Sequence, residues 1–186
     1  MTLDTFWKII DDARHSTQRA SEIPDWLVDY LSRLEAREIA GFESRLRECM
    51  HWSYDAHLWL AAVVVLGGCG DDSFDYFRAW LISQGRGAFE SALADTDSMA
   101  AFESFDGEYG VPRLERMLYA PSKAFLKCVG GDDFAAQEQF ESLLPAQQHP
   151  PLRNQELVST SDEDARVWLP RLAARFATPV PSRRER

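Results

Sequence analysis

The sequence lacks a hydrophobic run long enough to cross a lipid bilayer. Its longest apolar stretch, Leu58 to Leu66, ends at two glycines, whereas a membrane-spanning helix needs about 20 apolar residues. A secretory signal would place basic residues before a long apolar segment, but the first residues here include Asp4 and no such segment. We therefore expect no membrane association and a cytoplasmic location.

Cysteine is also scarce. Cys49, Cys69 and Cys128 form an odd, widely spaced set, which is typical of small buried side chains in a reducing compartment. Cys49, His51 and His57 are conceivable zinc ligands, but their spacing matches no common ligand pattern. We therefore expect no metal and no cofactor.

Strand-like alternation of apolar and polar residues is missing as well, and apolar residues instead recur at helical spacing. Leu3, Phe6, Trp7 and Ile10 follow the i, i+3, i+4, i+7 pattern, and Thr2 precedes them as a capping residue. Similar patterns recur along the chain. They predict an all-α fold, a compact multi-helix bundle.

The 186 residues suit one domain. We expect a single helical domain over residues 1–177 and a basic, disordered tail over residues 178–186. A proline-rich connection over residues 145–160 precedes a C-terminal helical stretch that begins after Ser161 and restarts at Pro170.

Helix boundaries inside the bundle are less evenly marked. Residues 55–66 are apolar nearly all round, which predicts the most buried helix. Asp71 and Asp72 follow a glycine-rich turn and are expected to cap the next helix. The helical pattern after Pro24 continues either as one long helix or as two helices separated by a bend near Gly41.

Acidic residues outnumber basic ones, with a formal net charge of −10. Residues 131–164 alone carry eight acidic side chains against one arginine. An acidic surface repels phosphate backbones, so direct nucleic-acid binding is not expected. A protein with a basic face fits better, and we place the acidic partner face at Asp132, Asp133, Glu138 and Glu141.

Asp71, Asp72 and Asp75 form a D-D-x-x-D motif, in which carboxylates one helical turn apart could share Mg²⁺ and hold a diphosphate. The spacing resembles the aspartate-rich motif of all-α isoprenoid synthases, although the second motif of those enzymes is missing here. Glu35 and Glu38 form an E-x-x-E pair of the kind that binds Mg²⁺ in helical nucleotide pyrophosphohydrolases, or an ordinary solvated face.

Two arginines and an amide follow the acidic motif. Arg78, Gln84 and Arg86 could bind an anion near a helix end. The alternative is structural: Arg78 pairs with Asp75 or with an acid on a neighbouring helix, and Trp80 fills the core.

Several strings of the sequence together resemble the bacterial family called domain of unknown function 4240. They are Phe6-Trp7, Leu58-Trp59 before Gly67-Gly68, the segment from Asp71 to Arg86 with its F-R-x-W-L-I-x-x-G-R string, and Leu169-Pro170-Arg171-Leu172. The resemblance implies one helical domain and no particular activity. It also implies that a surface shared by the family would lie near Arg78, Gln84 and Arg86.

Three classes of function follow. The first is a non-enzymatic, acidic helical module of the bacterial cytosol that binds a protein, for example a toxin-neutralising immunity protein or a stress-pathway regulator. The second is a metal-dependent enzyme or sensor for a phosphorylated small molecule. The third is a structural or oligomerising domain.

Overall fold

Helices account for the regular structure of the residues that the structure describes. The computed structural model describes residues 1–105, 112–130, 132–146, 151–155 and 161–176. Within these ranges there is no β-strand, only an isolated parallel bridge between Asp55 and Arg153. The α-helices are α1 (Leu3–Ser16), α2 (Ile23–Leu31), α3 (Ala36–Trp52), α4 (Ala56–Leu66), α5 (Asp71–Ser83), α6 (Arg86–Ala94), α7 (Glu115–Leu118), α8 (Ala120–Val129), α9 (Asp133–Ser142), α10 (Asp162–Trp168) and α11 (Pro170–Phe176).

Short 3-10 segments at Ala20–Glu22, Thr96–Ala101 and Glu103–Phe105 join some of these helices. The predicted all-α fold is confirmed. No helix in the described ranges combines the length and the apolar character that crossing a bilayer demands. The expected tail at 178–186 lies outside the described residues.

Several helices begin after a residue whose side chain caps them. The Thr2 hydroxyl accepts a hydrogen bond from the Thr5 N–H at 3.1 Å, and the Asp55 carboxylate accepts one from the His57 N–H at 2.9 Å. Ser161 caps α10 in the same way through the Asp164 N–H. Each side chain satisfies a backbone donor that the first helical turn leaves unpaired.

The expectation that Asp71 and Asp72 cap a helix is wrong. Gly70 occupies the capping position of α5, where no side chain accepts a cap hydrogen bond. Asp71 and Asp72 instead form the first turn of the helix and are exposed. Their charges are favourable there because the helix dipole is positive at that end.

The break between α2 and α3 comes earlier than the sequence suggested. Helix α2 ends at Leu31, and α3 continues through Gly41 without interruption. The Glu38 carboxylate accepts a hydrogen bond from the Glu35 N–H at 3.1 Å, which marks the start of α3. Gly41 allows Met1 to pack closely against α3, because a Cβ at position 41 would lie 2.9 Å from the Met1 nitrogen.

The most extensively buried helix is α5 rather than α4. Every residue from Phe77 to Ser83 is buried, whereas α4 is only partly buried from Val63 to Leu66. The core is rich in aromatic rings, and Phe6 packs against Phe42 with ring centroids 4.8 Å apart. Burial of such rings contributes strongly to stability.

The C-terminal part of the chain packs back onto α4. The Ala56 N–H donates to the Arg153 carbonyl at 3.0 Å, and the Asn154 amide donates to the Asp55 carboxylate at 2.7 Å. Helices α10 and α11 also contact α4. The predicted C-terminal helical stretch with a restart at Pro170 is confirmed.

Candidate binding groove

A groove of about 750 Å³ lies between α3 and α5. Leu118 of α7 and the residues after α9 complete its walls. We call it the α3–α5 groove. It is lined by Glu43, Ser44, Leu46, Arg47, Glu48, Met50, His51, Tyr54, Trp59, Asp71, Phe74, Asp75, Arg78, Leu118, Pro145 and Ala146.

Aromatic rings form one side of the groove. The rings of Trp59 and Phe74 lie 4.6 Å apart between centroids, and Tyr54 lies 6.1 Å from Phe74. The Trp59 Nε1–H donates to the Cys69 carbonyl at 3.2 Å, which orients the indole. The groove therefore offers an apolar surface of defined shape below its charged rim.

Arg78 ties the two walls of the groove together. Its side chain is buried, donates to the Met50 carbonyl on α3 and pairs with Asp75 on α5. The guanidinium carbon lies 4.9 Å from the Tyr54 ring centroid and 4.8 Å from that of Phe74. Burial lowers the pKa of Arg78, and Asp75 opposes this shift. The pairing that the sequence offered as a structural role is present.

Glu43 is a buried acid that the sequence analysis did not single out. One carboxylate oxygen accepts a hydrogen bond from Arg47 Nε at 2.6 Å. The other, Oε2, is buried and has no hydrogen-bond partner within the described part of the chain. Burial raises the pKa of Glu43, against the effect of Arg47. The signal was available: this acid stands in the apolar stripe between Ile39 and Leu46.

The groove gathers only some of the residues proposed from the sequence. Asp71, Asp75 and Arg78 line it, while Asp72 is exposed outside the lining. Arg86 lies elsewhere, with its guanidinium 2.8 Å from Asp4 and 2.6 Å from Glu90. The residues expected to hold one anion are therefore dispersed.

Gln84 lies in a second groove, of about 300 Å³. Its amide donates to the Trp80 carbonyl at 3.3 Å. Arg14 and Arg19 also line this groove, and both are paired with acids of their own segments, at 3.2 Å and 3.0 Å. These internal ion pairs reduce the positive charge that an anion would meet.

The four residues of the expected acidic partner face have separate roles. Asp132 caps α9 by accepting from the Phe134 and Ala135 N–H groups, and Asp133 and Glu138 are exposed. Glu141 approaches the α3–α5 groove, because both of its carboxylate oxygens lie 3.4 Å from Arg47 Nη2.

Two further kinds of site, a metal site and a reactive thiol, would be built from histidine, cysteine and acidic side chains. Among the described residues, no three His, Cys, Asp or Glu side chains are grouped to hold a metal ion. Burial raises the pKa of Cys49 to about 12 and that of Cys69 to about 11, so both thiols are protonated at neutral pH and are poor nucleophiles. Glu38 is committed to the start of α3.

Comparison with models of known protein families shows which family the chain belongs to and which helices the match contains. Residues 1–127 match the family described as "Protein of unknown function (DUF4240)". The chain belongs to this family. The matched range contains both α3 and α5, whereas α9 and the Leu169–Leu172 string lie beyond it. No curated protein and no solved structure matches the chain.

Proposed function

We propose that the chain is a non-enzymatic binding module that holds a basic segment of a partner protein in the α3–α5 groove. The observation that carries this proposal is a groove with an excess of carboxylates over an aromatic side, whose arginines are already engaged by the protein itself. Such a surface is complementary to lysine or arginine side chains.

The side chains that line the groove carry a net negative charge. With His51 neutral, the four acids exceed the two arginines by two negative charges. Arg78 is held by Asp75 and Met50, and Arg47 is held by Glu43. Glu48 is in turn paired with Arg45, outside the lining, and the remaining excess of carboxylates favours a cation over an anion. The four acids are Glu43, Glu48, Asp71 and Asp75.

The aromatic side suits the apolar stems of basic side chains. Lysine and arginine bury their methylene groups against apolar surface while the charged end stays with polar partners. Trp59 is partly exposed and Asp71 is exposed, and both line the same groove. A basic segment can therefore place its stems near the indole and its charges near the acidic rim.

The alternative of an enzyme or sensor for a phosphorylated small molecule has less support. It needs cations directed at the ligand, but Arg78 is enclosed by its own partners and Arg86 lies outside the groove lining. A toxin-neutralising immunity protein and a stress-pathway regulator are two bacterial cytoplasmic roles that binding of a basic partner would serve.

Selection of a random peptide library on the purified chain tests this function. We expect the enriched peptides to be rich in lysine and arginine, and to lose affinity about tenfold or more between low and high salt. Asp71→Asn should weaken these peptides about three- to tenfold. Asp72→Asn removes the same charge from the neighbouring residue, which does not line the groove, and should change affinity less than twofold.

Three results would contradict the proposal. They are enrichment of peptides without basic residues, an affinity that is independent of salt, and equal effects of the Asp71 and Asp72 substitutions. Any of them would show that the groove does not act by attracting a cationic segment.

A further inference from the structure

Glu43, which lines the α3–α5 groove, and Glu141, which lies beside the groove on α9, share a single arginine. Arg47 donates through Nε to Glu43 at 2.6 Å, and its Nη2 lies 3.4 Å from both oxygens of Glu141. We call Glu43, Arg47 and Glu141 the acidic triad. With both acids ionised it carries one uncompensated negative charge, and it joins α3 to α9.

The triad also contains an unused hydrogen-bond acceptor. Glu43 is only 8% exposed, and its Oε2 has no partner in the described structure. Buried carboxylate oxygens are normally satisfied by donors, because desolvation without a hydrogen bond is unfavourable. Glu43 lines the groove, so rotation of its carboxylate about the last side-chain bond can turn an oxygen toward a bound group.

We propose that the acidic triad receives one cationic side chain of the partner, a lysine or an arginine, whose charged end donates to the Glu43 carboxylate. This inference rests on the proposed function and names the side chain that the groove selects. The added cation balances the charge of the triad and supplies the missing donor. Such charge-assisted hydrogen bonds are stronger than those between neutral groups.

The neighbouring charges determine how binding depends on pH. Glu43 faces Arg47 on its own helix and Glu141 on α9, and the groove also contains Glu48 and His51 of α3 and Asp71, Asp75 and Arg78 of α5. Burial raises the pKa of Glu43 above its ordinary value. A bound cation favours the ionised form, so binding releases a proton from any protonated fraction and tightens as the pH rises through that raised pKa.

Small probes test the inference without a known partner. N-acetyl-arginine amide carries the cation, and N-acetyl-citrulline amide is a neutral analogue of nearly the same shape. Amide chemical shifts of the labelled chain should respond to the arginine probe near residues 43–47 and 137–141. We expect the citrulline probe to bind at least fivefold more weakly, since it brings no charge.

A pair of variants with equal net charge separates the triad from general electrostatics. Glu43→Gln should weaken the arginine probe about five- to twentyfold and remove the rise of affinity with pH. Glu90→Gln changes an exposed side chain on α6, outside the groove lining, and should leave both unchanged. If Glu43→Gln does not fold, as judged by circular dichroism, Glu141→Gln replaces it, with an expected two- to fourfold weakening.

The possible failures are distinguishable. Equal binding of the two probes, or equal affinity in Glu43→Gln and Glu90→Gln, overturns the triad. If the affinity of the library peptides still depends on Asp71 in that case, the proposed function stands although the triad does not bind the cation. If the arginine probe depends on Glu43 but no basic peptide binds, the protein-binding function fails while the cation site stands.

Discussion

Asp97 caps a helix that lies more than seventy residues further along the chain. Its carboxylate accepts hydrogen bonds from the backbone N–H groups of Arg171 at 3.1 Å and Leu172 at 2.9 Å. Arg171 Nε adds a third hydrogen bond at 2.8 Å. Pro170, the first residue of α11, has no N–H to satisfy, so one buried side chain supplies partners for the first turn of this helix.

Asp97→Ala should lower the free energy of unfolding by about 2–3 kcal/mol at neutral pH, because two helical N–H groups and a guanidinium lose their acceptor. Burial acts to raise the pKa of Asp97, but the hydrogen bonds from Arg171 and Leu172 outweigh it and the pKa falls below its ordinary value. A lowered pKa means that the stabilisation is complete above about pH 4 and is lost as the pH falls through the folded-state pKa. Urea unfolding at pH 7 and at about pH 3 measures this difference.

Asp12→Ala is the matched control for Asp97. Asp12 forms an exposed ion pair with Lys8 on the same helix, and such pairs contribute well under 1 kcal/mol. Its removal should change the free energy of unfolding by no more than about 0.5 kcal/mol. Equal effects of the two substitutions, or a pH-independent loss for Asp97→Ala, would show that Asp97 does not act as the cap.

Gly85 occupies a backbone conformation that other residues rarely adopt, with φ +89° and ψ 170°. Gly85→Ala should therefore destabilise the chain by about 1–3 kcal/mol. A Cβ there would lie 2.5 Å from Arg14 Nη1, but the flexible arginine can move, so the backbone strain dominates. Thermal or urea unfolding measures the loss.

Two residues further along the chain, Gly87→Ala is expected to have the opposite effect on stability. Gly87 lies within α6, and a Cβ there meets no atom within 4 Å. Alanine has the higher helix propensity and should stabilise the chain by about 0.5–1 kcal/mol. A stabilising Gly85→Ala, or two substitutions with the same sign, would contradict this account of the turn between α5 and α6.

Arg78→Lys should destabilise the chain by about 1–3 kcal/mol even though the charge is retained. An ammonium group cannot donate to Asp75 and to the Met50 carbonyl while lying flat against Tyr54 and Phe74. Chemical unfolding measures the change, and Arg37→Lys, at an exposed position of α3, is the control that should remain within about 0.5 kcal/mol. If Arg78→Lys left the free energy of unfolding unchanged, the planar guanidinium of Arg78 would not be needed for stability.

Local signals account for much of the fold. Thr2 and Ser161 are capping residues in sequence and in structure, because an N-cap depends on residues within one turn. Asp71 shows where this reasoning fails. A glycine can occupy the capping position without a side-chain hydrogen bond, and Gly70 does so, which the sequence pattern does not reveal.

The candidate site depends on contacts that are distant along the chain, and these were harder to predict. The pairing of Arg78 with Asp75 follows from their spacing of three residues on one helix. The approach of Glu141 to Arg47 requires α9 to pack beside α3, and no local sequence pattern predicts that packing. Gln84 and Arg86 are close in sequence, yet the turn between α5 and α6 directs them to different surroundings.

The packing of the C-terminal residues on α4 has a consequence for synthesis on the ribosome. Arg153, Asn154, α10 and α11 contact the α3–α4 turn and α4 itself, although they are translated about a hundred residues later. A nascent chain in which α4 has been translated therefore exposes apolar surface of this helix until α10 and α11 leave the ribosome. Such exposed surface is prone to aggregate. Stalled chains that end before α10 should consequently recruit chaperones more strongly than chains that extend beyond α11.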